Sequence, residues 1–110
     1  MALESQAGAA EALLKAVANR RRLVILCELL DGEKSVSALR GAIGLSQSAL
    51  SQHLARLRGD KIVATRRASQ TIYYSLASDR VTKLIGLLHE LYCAPNCSAE
   101  PQPNSRGKKI

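Results

Sequence analysis

The chain has 110 residues, enough for one domain with one modest core, and 46% of them are apolar. Aromatic residues make up only 3%, with no Trp or Phe, so the core must be built from Leu, Ile, Val and Ala, which helices do well. Sixteen Lys and Arg against nine Asp and Glu give a net charge of +7, which favours a polyanionic partner, most commonly nucleic acid. No apolar run approaches the roughly 20 residues of a membrane span.

The first residues, Met1-Ala2-Leu3-Glu4-Ser5-Gln6, lack the basic and apolar regions of a secretory signal, so a cytoplasmic protein is expected. In that compartment Cys27, Cys93 and Cys97 are not a disulfide framework. They are core residues, metal ligands or redox groups. The sequence has no paired-carboxylate or nucleophile–base constellation and no phosphate loop, so an enzyme is not expected.

Residues 5–18 are Ala-rich and predict a first helix with a stripe of Ala9, Leu13, Ala16 and Val17. Asn19 breaks the run and can cap a second helix over 20–31, ended by Asp31-Gly32. Leu23, Leu26, Cys27 and Leu30 share one face of it. Arg20, Arg21 and Arg22 open this helix against its dipole, which points to a use other than helix stability, a phosphate or a carboxylate. Ser35 can cap a short third helix, 36–42, and Ile43-Gly44-Leu45 makes a tight connection to the next.

That next stretch is Gly44-Leu45-Ser46-Gln47-Ser48-Ala49-Leu50-Ser51-Gln52-His53-Leu54-Ala55-Arg56-Leu57-Arg58. Leu50, Leu54 and Leu57 fall at i, i+4 and i+7 and make one helix side apolar. Ser46 stands at the N-cap and Gly59 after the run as a stop signal. Ser48, Ser51, Gln52 and Ala55 lie opposite the leucines, a short polar face nearly free of charge. Such a face suits close approach to base edges in a major groove; it also suits an ordinary core helix that is polar on one side. Two short helices joined by a Gly-containing turn form a helix-turn-helix pattern.

After Gly59-Asp60 the period changes from helix to strand. Ile62–Arg67 and Thr71–Leu76 are rich in β-branched and aromatic residues, and Ile72, Tyr74 and Leu76 alternate with Thr71, Tyr73 and Ser75. The short connection Ala68-Ser69-Gln70 predicts a hairpin with Arg66 and Arg67 near its tip. A basic hairpin beside a helix-turn-helix is a wing, placed to touch the phosphate backbone or an adjacent minor groove; the same residues also suit a plain capping hairpin with solvated arginines. Ser78 or Asp79 caps a last helix over 79–93, striped by Val81, Leu84, Ile85, Leu88 and Tyr92 and widened by Leu87 and Leu91. A helix this apolar needs cover on more than one side, so the first and last helices are expected to pair across a two-fold axis. Residues 1–94 form the expected domain, and 95–110, with Pro95, Pro101 and Pro103, an expected disordered basic tail.

The order helix, helix, helix-turn-helix, hairpin, helix resembles the ArsR family of small bacterial winged-helix repressors. Leu45-Ser46-Gln47-Ser48-Ala49-Leu50-Ser51-Gln52-His53-Leu54 and Tyr74-Ser75-Leu76 carry the likeness, which covers roughly residues 9–93. The resemblance implies a mainly α fold with a β-hairpin wing (α-α-α-α-β-β-α), homodimeric through the first and last helices and bound to an inverted-repeat operator in double-stranded DNA. Ser48, Ser51 and Gln52 would then face bases, with Gln47 and Arg56 nearer phosphates and Arg66 and Arg67 on the wing. His53, at the edge of the apolar stripe, packs structurally, contacts phosphate, or both.

Members of that family differ in what they sense. Metal-sensing members carry Cys-x-Cys near the third helix, where Ser35-Val36-Ser37 has no thiol. Others carry Asp-x-His and a later His-x-x-His/Glu on the last helix; here Val81 follows Asp79 at the His position, and Tyr92 follows His89. One Cys in the second helix and one ending the last resembles the BigR/SqrR group, which senses persulfide and other reactive sulfur. The resemblance assigns that role to Cys27 and Cys93 and leaves Cys97 as a tail thiol. A pair slightly too distant for a disulfide would accept a tri- or tetrasulfide, each added sulfur lengthening the bridge by roughly 2 Å. The helix dipole disfavours a thiolate at either position, and a protonated His89, four residues before Cys93, would offset this.

The same residues allow other readings. Cys27 can be an inert core cysteine and His89 a dimer-face residue. A metal-responsive repressor could use His89, Cys93 and Cys97, although the tail argues against a preorganised site, and a general redox-responsive repressor could use the same thiols without sulfur transfer. A basic architectural protein would have no inducer at all.

Overall fold

The computed structural model describes residues 2–93. The expected tail at 95–110 and Cys97 lie outside the described residues. Helix α1 spans Ala2–Val17, α2 Arg20–Glu28, α3 Val36–Ile43, α4 Gln47–Gly59 and α5 Asp79–Tyr92. Strand β1 is Lys34–Ser35, β2 Val63–Ala68 and β3 Thr71–Leu76.

Each expected cap is made by the residue that the sequence offers. The Asn19 Oδ1 accepts from the amides of Arg21 (2.9 Å) and Arg22 (3.1 Å) at the start of α2. The Oγ atoms of Ser35, Ser46 and Ser78 accept from Ala38 (3.1 Å), Ala49 (3.2 Å) and Val81 (3.3 Å). Each cap satisfies an amide that the first helical turn would leave without a partner. Gly44 sits at φ 85° between α3 and α4, a left-handed position that glycine adopts without steric cost.

Several helix ends move by one to three residues from expectation, α1 opening at Ala2 and closing at Val17 where 5–18 was expected, α3 ending at Ile43 and α5 at Tyr92; two ends differ in kind. The second helix is α-helical only to Glu28; Leu29–Asp31 tighten into a 3-10 turn, and Gly32 leaves it at φ 130°. In α4 the stop is not Gly59, which remains helical. Lys61 takes the left-handed position at φ 62°. Its amide donates to the Arg58 carbonyl (3.0 Å) and the Ile62 amide donates to Leu57 (2.9 Å). This is the paired-bond ending in which the residue two beyond the cap folds back over the last turn. Burial of both Ile62 and Leu57 in the core drives it.

The sheet has three antiparallel strands in the order β1-β3-β2. The hairpin pairs Val63 with Leu76, Thr65 with Tyr74, Arg66 with Tyr73 and Arg67 with Ile72. Strand β1, which the sequence did not signal, pairs Lys34 with Tyr74 and Ser35 with Tyr73. Two residues carry no readable alternation; β1 exists because β3 supplies its ladder. Its effect is to attach the start of α3 to the wing.

The core joins Ile25, Leu26 and Leu29 to Leu39, to Leu50, Leu54 and Leu57 of α4, and to Val81 and Ile85 of α5. Ala16 and Val17 bring the end of α1 into it, while Ala9, expected on the same stripe, is exposed. Arg22 donates from Nε to the Ala16 carbonyl at 2.7 Å. One of the three arginines that open α2 therefore serves the preceding helix, using neither a phosphate nor a carboxylate.

Candidate nucleic-acid interface and cysteine groove

Helix α4 is anchored by its leucines and shows the opposite side to solvent. Leu50, Leu54 and Leu57 are fully buried, while Gln47, Ser48, Ser51, Gln52 and Arg56 are all exposed. Ser48 and Ser51 are short, so another surface can approach the helix backbone closely beside them. His53 is half-buried between the two faces. Arg56 reaches back to Asp60, with Nε 2.7 Å from Oδ2, an i,i+4 pair at the end of the helix.

On the hairpin, alternation assigns the two arginines to opposite faces. Val63, Thr65 and Arg67 share the inner face with Leu76, Tyr74 and Ile72, and Val63, Leu76 and Tyr74 contribute to the core. Ile72, expected to share this burial, is 39% exposed because the hairpin tip extends past the core. Arg66 lies on the outer face, cross-strand from Tyr73, with its guanidinium carbon 4.8 Å from the ring centroid. Its Nε and a terminal nitrogen also donate to the Glu33 carboxylate at 3.1 and 2.5 Å. These hydrogen bonds pull the Glu33 carboxyl below the usual carboxylate range and raise the Arg66 guanidinium further. No local sequence pattern signals this pair, whose members stand 33 residues apart. Arg67 donates from Nε to the Ser69 carbonyl at 3.2 Å in the turn.

A groove of about 910 Å³ runs between α2 and α5. Cys27, in the last turn of α2, and Cys93, the residue that caps α5, both line it, with Leu23, Leu30 and Leu88 as apolar walls and His89 alongside. Both cysteines are half-buried. Cys27 packs against the core, as its place on the apolar face predicts. Among the described residues no cluster of three His, Cys, Asp or Glu side chains could hold a metal ion. Among them, too, no helix is long and apolar enough to cross a membrane.

A second groove, of about 610 Å³, separates α1 from α5 and is lined by Leu13, Leu14, Val81 and Leu84. Leu14 (54% exposed), Leu87 (51%), Leu91 (63%) and Tyr92 (80%) leave α1 and α5 with apolar side chains in solvent.

Residues 19–65, from the cap of α2 to the third residue of β2, match the model of the bacterial regulatory protein arsR family. The transcriptional activator HlyU of Vibrio cholerae is 55% identical over 94 residues, covering 86% of this chain and 87% of the relative. The chain belongs to the arsR family. It is a transcriptional regulator and not an enzyme.

Two solved structures extend the likeness from the sequence to the whole winged helix. The transcriptional repressor BigR from Xylella fastidiosa is similar with a TM-score of 0.77 at 38% identity, covering 84% of this chain and 94% of that one. A homodimeric winged helix-turn-helix DNA-binding domain from Mycobacterium bovis is similar with a TM-score of 0.69 at 32% identity, covering 78% and 82%. Within the arsR family, then, this chain is similar both to a protein called an activator and to one called a repressor.

Proposed function

We propose that this arsR-family regulator is a homodimeric repressor that leaves its operator when reactive sulfur bridges Cys27 and Cys93. The observation that carries the reading is that the two cysteines, far apart in sequence, line one groove between α2 and α5. The similarity to the repressor BigR supports the direction of control. The exposed leucines of α1 and α5, with the homodimeric relative, support pairing through those helices.

In the reduced dimer two copies of α4 enter successive major grooves of an inverted repeat, roughly 34 Å apart. Ser48, Ser51 and Gln52 meet base edges, Gln47 and Arg56 lie nearer phosphates, and Arg67 reaches backbone from the wing. His53 supports the helix from its edge and stands close enough to the same surface to meet a phosphate.

The sulfur chemistry balances without a separate oxidant. Each cysteine thiolate attacks the sulfane sulfur of a persulfide R–S–SH, taking that sulfur and releasing R–SH. The terminal sulfur of one cysteine persulfide then attacks the inner sulfur of the other, forming a trisulfide and expelling hydrosulfide. For a tetrasulfide, the terminal sulfur of one cysteine persulfide first attacks the sulfane sulfur of a third R–S–SH, taking it and releasing R–SH. The lengthened chain then attacks the inner sulfur of the other cysteine persulfide and expels hydrosulfide. The bridge ties α2, which packs on α4, to α5, which carries the exposed apolar face. Movement at that junction alters the separation of the reading heads, and a coupling of about 1–3 kcal/mol is enough for regulation.

The test is a gel shift on a duplex that the protein has selected from a randomised library, before and after treatment with persulfide, peroxide or metal ions. Persulfide should release the wild type and leave Cys27→Ser and Cys93→Ser bound. Intact mass should show one or two added sulfurs joining the two cysteines. Release of either serine variant by persulfide, or release by metal alone, would overturn the assignment.

A further inference from the structure

We infer that Arg66 serves DNA binding as a positioning residue. With Glu33 and Tyr73 it braces the wing, and the phosphate contact falls to Arg67 on the other face of the sheet. The inference rests on the DNA-binding reading and assigns different work to two adjacent arginines.

Strand alternation separates the two. Neighbouring residues of β2 cannot face the same way, so a duplex lying against one face of the hairpin meets only one of the two arginines. Helix α4 packs on β2 from the inner side, the side of Val63 and Thr65. Arg67 continues that inner row beyond the core, beside the exposed Ile72. It therefore projects on the same side as the polar helix that reads the bases. Among the described residues no carboxylate pairs with Arg67.

Arg66, by contrast, is engaged on two sides. The Glu33 carboxylate accepts from Nε at both of its oxygens (3.2 and 3.1 Å) and from a terminal nitrogen at 2.5 Å, a two-nitrogen grip of the kind with which arginine also holds a phosphate. The Tyr73 ring covers the guanidinium face. Glu33 immediately precedes β1, whose Ser35 pairs with Tyr73. Arg66, Tyr73 and Ser35 thus form one row across all three strands, closed at its edge by Glu33. The segment so tied runs from the end of α2 into α3, the first helix of the helix-turn-helix. The brace therefore sets the angle between the wing and the DNA-reading pair of helices.

Simple charge and the brace predict opposite results for one substitution. Removing the Glu33 carboxylate from a basic surface should tighten DNA binding if charge alone matters. With the brace, Glu33→Gln loosens the wing and weakens binding.

The experiment measures affinity by fluorescence anisotropy across a salt series on the selected duplex. Glu33→Gln and Arg66→Gln should each weaken binding by about two- to tenfold, on the scale expected of an exposed ion pair present twice in a dimer. The double variant should be no weaker than either single one, because both remove the same interaction. Arg66→Gln should leave the salt slope unchanged. Arg67→Gln should reduce it by about two per dimer, roughly 0.9 for each phosphate that is no longer neutralised. Tighter binding by Glu33→Gln, or a salt slope that falls in Arg66→Gln as it does in Arg67→Gln, would overturn the inference.

Amide hydrogen exchange without DNA separates the brace from the DNA-binding reading. Glu33→Gln should speed exchange in the β2–β3 ladder around Arg66 and Tyr73 while α4 is unaffected. Unchanged exchange there overturns the brace. Failure of the wild type to select any duplex overturns the DNA-binding reading, and this inference falls with it.

Discussion

The Ile62 amide donates to the Leu57 carbonyl at 2.9 Å, folding the chain back over the end of α4 and bringing both side chains into the core. Lys61, between the two, is held at φ 62° as a result. A side chain bearing Cβ is disfavoured in that region, and the expected glycine stands two residues too early.

Lys61→Gly should therefore stabilise the fold. Relief of the left-handed backbone, less the extra freedom of glycine in the unfolded chain, gives about 0.5–1 kcal/mol. A β-branched residue at the same place should cost at least as much. Thermal or urea denaturation of both variants checks the sign. A Lys61→Gly protein that melts below the wild type would show that the lysine side chain outweighs the backbone.

A second corner depends on one arginine. Arg22 donates from Nε to the carbonyl of Ala16, near the end of α1, where the last carbonyls of a helix have no partner within it. Arg22→Met keeps much of the apolar stem and removes the donor. The expected loss is about 1–2 kcal/mol, between the net value of an ordinary hydrogen bond and that of a fully effective charged one, because the site is only half-buried. Arg21→Met, at an exposed neighbouring position, should change stability little. Equal losses for the two would show that the Ala16 hydrogen bond does not hold the corner.

The Glu33–Arg66 pair makes a prediction about pH. The Arg66 hydrogen bonds hold the Glu33 carboxyl below the usual carboxylate range. A carboxylate with a depressed folded-state pKa contributes fully above its unfolded value and loses that contribution as pH falls through the folded one. The raised Arg66 guanidinium stays charged over the same range. Backbone shifts of Arg66 and Tyr73 should therefore be flat from neutral pH down through the ordinary carboxylate range and move only below it. In Glu33→Gln that low-pH movement should disappear. A midpoint at or above the ordinary carboxylate value would contradict the pairing.

Much of the fold was legible because its signals are local. Asn19, Ser35, Ser46 and Ser78 cap helices through bonds that span two or three residues, so the sequence itself carries the geometry. The leucine spacing of α4 likewise separated its buried side from its exposed one, and the helix-turn-helix followed. Helix ends were less legible. Gly59 looks like a stop, but the apolar demand of Ile62 and Leu57 placed the turn at a lysine.

What the sequence by itself determined is the set of elements and their faces: five helices, a hairpin, a polar outer side on α4 and cysteines near two helix ends. Only the tertiary structure decided which of these meet. Packing of Ile25 and Leu26 with Val81 and Ile85 brings α2 and α5 together, and that alone puts Cys27 and Cys93 on one groove. The β3 ladder creates β1, and with it the reach of Glu33 to an arginine 33 residues away. The reason is physical: caps and periodicity are satisfied within a turn or two of chain. Burial and strand pairing are satisfied by whichever distant segments close the core.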